Sequence, residues 1–244
     1  MVSSYSVPRS LRVDAWRGGA CLLMVFYHFC YDLNYFNLVS WDFYHHPFWL
    51  NLRILIVSCF VGIVGISLYL ATVHGVQHRA VVKRVVTLFS CALLISLVSG
   101  MLFRERFIFF GILHFITLAS VVGLWFRSYF KLNVILGIAI LIMGITAQHP
   151  FFDQPFWQWL GLMTHKPATE DYVPFIPWFG VVLLGIALGH GLHRQGYLYN
   201  PPPTMVEQQL AKIGQYSLLI YMLHQPILLG GLWGLLKLYY SIFY

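Results

Sequence analysis

The sequence predicts an all-α membrane protein, a bundle of about seven transmembrane helices with the N-terminus in the cytoplasm and the C-terminus outside. Three observations predict it. The 244 residues are 59% hydrophobic and only 9% charged, against roughly 25% charge in soluble domains. The mean hydropathy is +0.72. Apolar runs close to the ~20 residues that a bilayer crossing needs recur along the whole chain. Nothing in the composition divides the chain, so residues 1–244 read as a single polytopic domain whose core is the bundle itself.

The runs fall at 15–35, 53–74, 84–103, 107–126, 132–148, 174–192 and 214–238. The first follows Arg9 and Arg12 and so imitates a secretory signal. No small-x-small cleavage pattern follows, and the run carries His28 and Asp32, so it reads as a retained helix. With the N-terminus inside, ten Lys and Arg residues fall on the inner side, Arg17 and Arg84 among them. Five fall outside: Arg53, Arg104, Arg106, Lys166 and Lys237. That asymmetry sets the orientation. It also accounts for the net charge of +7. The basic residues sit at the ends of apolar runs and form no stripe with interleaved aromatics, so no nucleic-acid partner is expected.

Two outer segments are long, 36–52 and 149–173. They hold half of the eight acids (Asp42, Asp153, Glu170 and Asp171) and many aromatics, for any one of which an interfacial belt is a sufficient explanation. Asn200-Pro201-Pro202-Pro203 cannot continue a helix and reads as an extended linker. Gly185-x-x-x-Gly189 and Gly230-x-x-x-Gly234 permit close helix packing. Cys21, Cys30, Cys59 and Cys91 form no CxxC pair and read as small apolar packing residues.

The first run carries a polar stripe. Arg17, Cys21, Met24, His28, Asp32 and Tyr35 are spaced by three or four residues and share one helical face. Asp14 and Arg17, one turn apart, are placed to pair at the inner end. His28 and Asp32 are one turn apart toward the outer end, where a carboxylate beside an imidazole would fix its tautomer and raise its basicity, as a general base requires. Such a pair can also simply hold helices together. Ionisable groups inside a bilayer are costly and mark function by default, about 2.5–3.5 kcal/mol on insertion scales for charged residues.

His114 and His224 interrupt two further runs. At about 1.5 Å per residue, His28, His114 and His224 all lie between the midplane and the outer third of a ~30 Å core, as they would if they lined one cavity. Tyr221 shares the His224 face, and Pro226 deprives a carbonyl one turn earlier of its partner. His74-x-x-x-His78 and His190-x-x-His193 have helical metal-ligand spacing but lack a third ligand, so interfacial contact is the better reading and no metal is expected. His45-His46 lies in the first outer segment, and spacing alone leaves it a loop feature.

The stretch RVDAWRGGACLLMVFYHFCYD at 12–32 resembles the opening of the heparan-alpha-glucosaminide N-acetyltransferase family, with its aspartate three residues ahead of an arginine-glycine pair. The resemblance continues through FVGIVGISLYLA at 60–71, GILHFITLAS at 111–120 and SLLIYMLHQPILL at 217–229, and is best with short bacterial members. It implies a cell inner-membrane, multi-pass acyltransferase. Acetyl-CoA would be the cytoplasmic donor, and the acetyl group would reach an amino sugar or another glycan or envelope acceptor on the outer face. It further implies a catalytic histidine in the loop after the first helix, here His45 or His46. The animal enzyme has an asparagine where His28 aligns.

The resulting assignment makes His45 or His46 the base or acetyl carrier, with His28 and Asp32 as a polar site pair. His114, His224 and Tyr221 would line the channel. Arg17, with Asp14 and Arg84, would serve the CoA phosphates at a cationic mouth. The partners are the lipid bilayer, acyl-CoA and an amine or hydroxyl acceptor, and a homodimer is compatible with the sequence although no feature demands one. The rival reading is a proton-coupled transporter, which intramembrane His and Asp beside a proline-broken helix would suit. No inverted repeat is visible to support it. A third reading is a non-catalytic scaffold, in which the histidines could be replaced without effect.

Overall fold

A computed structural model describes residues 10–73, 75, 77–102 and 104–243. These form eight α-helices and no strand: α1 (Leu11–Tyr35), α2 (Pro47–Val73), α3 (His78–Leu102), α4 (Ile112–Phe126), α5 (Phe130–Thr146), α6 (Phe175–Arg194), α7 (Met205–Gln215) and α8 (Ser217–Phe243). Each of the seven apolar runs contains a helix, although α4 starts only at Ile112, five residues into its run, and the last run begins in α7 and continues in α8 beyond a break at Tyr216. By length and hydropathy α2, α3, α6 and α8 can each cross a membrane. α4 and α5 are apolar but shorter, with 15 and 17 residues. α1 is 25 residues long but carries Arg12, Asp14, Arg17 and Asp32.

The chain divides into two compact units, one of Ser10–Phe60 with Tyr199–Tyr244, the other centred on Val61–Leu198. In the first unit α1 separates its faces as the stripe requires. Cys21, Met24 and Asp32 are buried, while Leu22, Leu23, Phe26 and Phe29 are exposed on the opposite side. Further round the helix, Tyr27 and Cys30 join Phe43, Trp49 and Ile56 in an apolar cluster that seats the α1–α2 loop. Phe43 stacks on Trp49 with ring centroids 4.2 Å apart. α2 begins at Pro47, six residues before the apolar run, because proline is pre-organised for a first helical position.

The extended linker gives way to a helix that the apolar pattern does not reveal. Thr204 caps α7 by accepting the Glu207 N–H (3.2 Å), and Glu207 returns a carboxylate to the Thr204 N–H (2.7 Å). α7 lies directly against α1. A side chain at Gly18 would strike the Leu210 carbonyl, and one at Gly214 the Asp14 carbonyl, so only glycine permits this approach. Arg12 ties the same region together. Its guanidinium donates to the carbonyls of Asn200 and Pro201, 2.8 Å each, and lies 3.4 Å from Glu207.

In the second unit α6 packs on the latter half of α2 and on α5. Gly185 faces the Gly62 backbone and Gly189 faces Ile66, as the small-residue spacing expects. Gly230 and Gly234 of α8, by contrast, approach no other part of the described chain. Residues 149–173 form an ordered loop. Asp153 accepts the backbone N–H and the hydroxyl of Thr164 at 2.8 Å, and Tyr172 donates its hydroxyl to the Gln158 carbonyl at 2.6 Å.

Candidate functional site

The α1–α2 loop builds a histidine–carboxylate pair. Asp42 accepts the backbone N–H of His45 (2.9 Å) and of Tyr44 (3.0 Å). Its two oxygens both lie 3.1 Å from Nδ1 of His45. The His45 N–H, with the Tyr44 N–H and the His45 ring adding to it, holds the Asp42 carboxyl below the usual carboxylate range. A carboxylate only accepts, so His45 carries its proton on Nδ1 and presents the Nε2 lone pair. The ring is 86% exposed, so that lone pair faces the outside of the unit. The loop is pinned by a Tyr31–Tyr44 hydroxyl contact of 2.9 Å and by the Trp41 N–H donating to Asn34 at 2.7 Å. An open depression of about 550 Å³, lined by Asn34, Asn37, Ser40, Trp41 and Asp42 among others, adjoins the pair.

His46 is used differently. Its Nδ1 accepts the Phe48 N–H at 3.2 Å, and its carbonyl accepts the Leu50 N–H. It therefore caps α2 and satisfies a donor that the helix start leaves over.

His28 and Asp32 do not pair with each other. Asp32 accepts Gln225 Nε2–H at 2.7 Å from α8, and the His28 ring lies against His224 with centroids 4.8 Å apart. One turn along α1 brings both residues to the α8 face, and α8 supplies a separate partner for each. His224 donates Nδ1–H to the Tyr221 carbonyl (2.8 Å), which leaves Nε2 as its acceptor. Tyr221 packs its ring 5.7 Å from His224 and leans on the apolar cluster under the loop.

His114 belongs to the other unit and serves as a tie. Its Nδ1 accepts the Gly111 N–H at the start of α4 (3.2 Å), so the proton sits on Nε2, 3.1 Å from Ser96. Ser96 spends its own proton on the Ile108 carbonyl (2.5 Å). Both ring nitrogens are thus engaged, and the ring has no lone pair left for a channel. Asp14 and Arg17 pair at 2.7 Å as their spacing expects, with Asp14 buried. Arg84 is exposed near the start of α3. His190 and His193 both lie against Tyr69, and His190 also meets Phe130. His74 lies outside the described residues. Among the described residues no group of three His, Cys, Asp or Glu side chains is arranged to hold a metal. All four cysteines are free thiols.

Residues 9–226 match the family described as heparan-alpha-glucosaminide N-acetyltransferase, catalytic. The chain belongs to this family. No curated protein and no solved structure matches it. The N-acetyltransferase match spans both units and every site described above, and it ends at Pro226, just past the His224–Gln225 pair. Membership makes the chain an acetyltransferase-type membrane protein, in keeping with its apolar helices.

Three site features escape the sequence pattern: Asp42 as the His45 partner, Gln225 as the Asp32 partner, and Arg12 as an internal tie. The Asp42-x-x-His45 spacing was a usable signal for the first. Nothing local to α1 points to Gln225, which arrives from 193 residues away.

Proposed function

We propose that this protein is a multi-pass acetyltransferase that moves an acetyl group from cytoplasmic acetyl-CoA to an amino sugar or other glycan or envelope acceptor on the outer face. Seven helices (α1 to α6 and α8) cross the membrane with the N-terminus inside, which puts the α1–α2 loop outside. His45 is the acceptor-side base. The observation that carries this reading is the Asp42–His45 contact, in the loop where the family resemblance expects its catalytic histidine.

The chemistry follows from that contact. The acceptor nitrogen or oxygen attacks the thioester carbonyl while Nε2 of His45 takes its proton. The carbon–sulfur bond breaks, CoA leaves as the thiolate, and the imidazolium returns the proton to it. Asp42 holds the imidazole tautomer and offsets the charge that develops on the ring. His46, engaged as a helix cap, is not the base. On the inner side, Arg17, oriented by Asp14, supplies positive charge for the CoA phosphates, whereas Arg12 is taken up within the fold.

The test is label transfer from radioactive acetyl-CoA by the purified full chain in proteoliposomes, with envelope extract on the outer side. The proposal expects label in an amine- or hydroxyl-bearing product with stoichiometric CoA release. A folded protein that releases no CoA while dissipating a proton gradient would favour the proton-coupled transporter instead.

A further inference from the structure

Asp32 is 1% exposed. Among the described residues its carboxylate accepts one hydrogen bond, from the neutral amide of Gln225 to Oδ1. Oδ2 of Asp32 and Oε1 of Gln225 are both buried without a hydrogen-bond partner, and no cation pairs with the carboxylate among the described residues. Beside them, one turn earlier on α1 and one residue earlier on α8, His28 lies against His224. Asp32 and Gln225 therefore offer acceptor atoms in excess of donors. A buried carboxylate that lacks a countercharge and has half its hydrogen-bonding capacity unused is costly. A bound group that brings both charge and donors removes the cost.

We propose that Asp32 and Gln225 form a binding site for a primary ammonium group, donating N–H to Asp32 Oδ2 and to Gln225 Oε1. An ammonium fits because it carries three donors and the charge that Asp32 lacks, in a volume no larger than a methyl group. A hydroxyl brings one donor and no charge. Gln225 is only partly buried, whereas Asp32 is fully buried. The site lies in the same unit as His45. Tyr31, the neighbour of Asp32, holds Tyr44, the neighbour of His45, at 2.9 Å. Asp32 then acts as a selector of cationic acceptors, a role that rests on the proposed transfer reaction. The ammonium first gives up one proton to solvent to expose its lone pair, and acetylation of the resulting neutral amine leaves an uncharged amide that the site no longer holds.

The ammonium could come from an amino sugar or from a phospholipid headgroup. The experiment titrates the full chain, in a neutral sugar detergent and without acetyl-CoA, by calorimetry with glucosamine and with ethanolamine. Glucose and ethylene glycol are the uncharged controls. At least one amine should bind tenfold or more tightly than its uncharged counterpart, and the tighter of the two names the source. Asp32→Asn, which keeps an oxygen for Gln225, should abolish that preference, whereas Asp153→Asn should keep it. If Asp32→Asn does not fold, the wild type is compared with N-acetylglucosamine and N-acetylethanolamine, which should bind at least tenfold more weakly than the parent amines. Equal affinity for charged and uncharged ligands, failure of both amines to bind, or a preference that survives Asp32→Asn would overturn the proposal. Because no acetyl donor is present, failure of the transferase reaction leaves this result readable on its own.

Discussion

Replacing Arg12 by methionine separates a structural arginine from a ligand-binding one. Methionine keeps most of the aliphatic stem and removes the charged head. Two charge-assisted hydrogen bonds to the Asn200 and Pro201 carbonyls, each 2.8 Å, are lost from a residue that is 6% exposed. Hydrogen bonds to charged groups contribute about 1.5–3 kcal/mol each, and the lower figure is apt because water can reach the freed carbonyls of the linker. The loss is then about 3 kcal/mol. At about 2–4 °C per kcal/mol for a chain of this size, the melting temperature falls by about 6–12 °C. Thermal unfolding of the detergent-purified protein, followed by tryptophan fluorescence, reads the shift. Arg12→Lys, which keeps the charge but not the fork, falls in between. Acetyl-CoA affinity per folded molecule stays unchanged. A melting temperature within 1 °C of wild type together with a large loss of acetyl-CoA affinity would refute the reasoning and place Arg12 at the donor site.

Two further variants probe ties of the same kind. His114→Leu removes the acceptor for the Gly111 N–H and the contact with Ser96. It should cost about 1–2 kcal/mol by thermal unfolding and leave turnover per folded molecule intact. The Thr204–Glu207 cap adds a pH dependence. The Thr204 N–H holds the Glu207 carboxyl below its ordinary value, with the Arg12 charge assisting. A depressed carboxylate contributes stability that is present above its unfolded value and lost as the pH falls through the folded one. α7 should therefore loosen below the ordinary glutamate range of about pH 4.3. Amide exchange at Gln208 to Ala211 checks this, and Glu207→Gln should flatten the profile.

The helices were legible because each of seven apolar runs is long enough to demand one. α7 was not, since its 11 residues are mostly polar and its signal is the Thr204-x-x-Glu207 cap rather than an apolar period. The start of α2 was missed because Pro47 and the His46 cap extend the helix beyond its apolar run. The polar stripe on α1 was read correctly as one face, for the 3.6-residue period alone sets it. Its pairings were not, because helical spacing places His28 and Asp32 near each other without saying what α8 brings to them. His28, His114 and His224, expected at one depth from sequence, do not share a role, and His114 falls in the first turn of α4 because that helix begins only at Ile112. Only side-chain geometry shows that His114 spends both nitrogens on the fold. The same limit left His45 and His46 equivalent in sequence, and the Asp42 carboxylate and the Phe48 N–H tell them apart.

That distinction carries the central claim. The measurement that tests it most directly is the rate of acetyl-CoA-dependent acetylation by His45→Ala and His46→Ala side by side, each normalised to folded protein. The account predicts that His45→Ala loses about 10²–10⁴ in rate, the usual contribution of a general base. It predicts that His46→Ala stays within about tenfold and loses about 1 kcal/mol of stability as a missing helix cap. An inactive His46→Ala beside an active His45→Ala would contradict it.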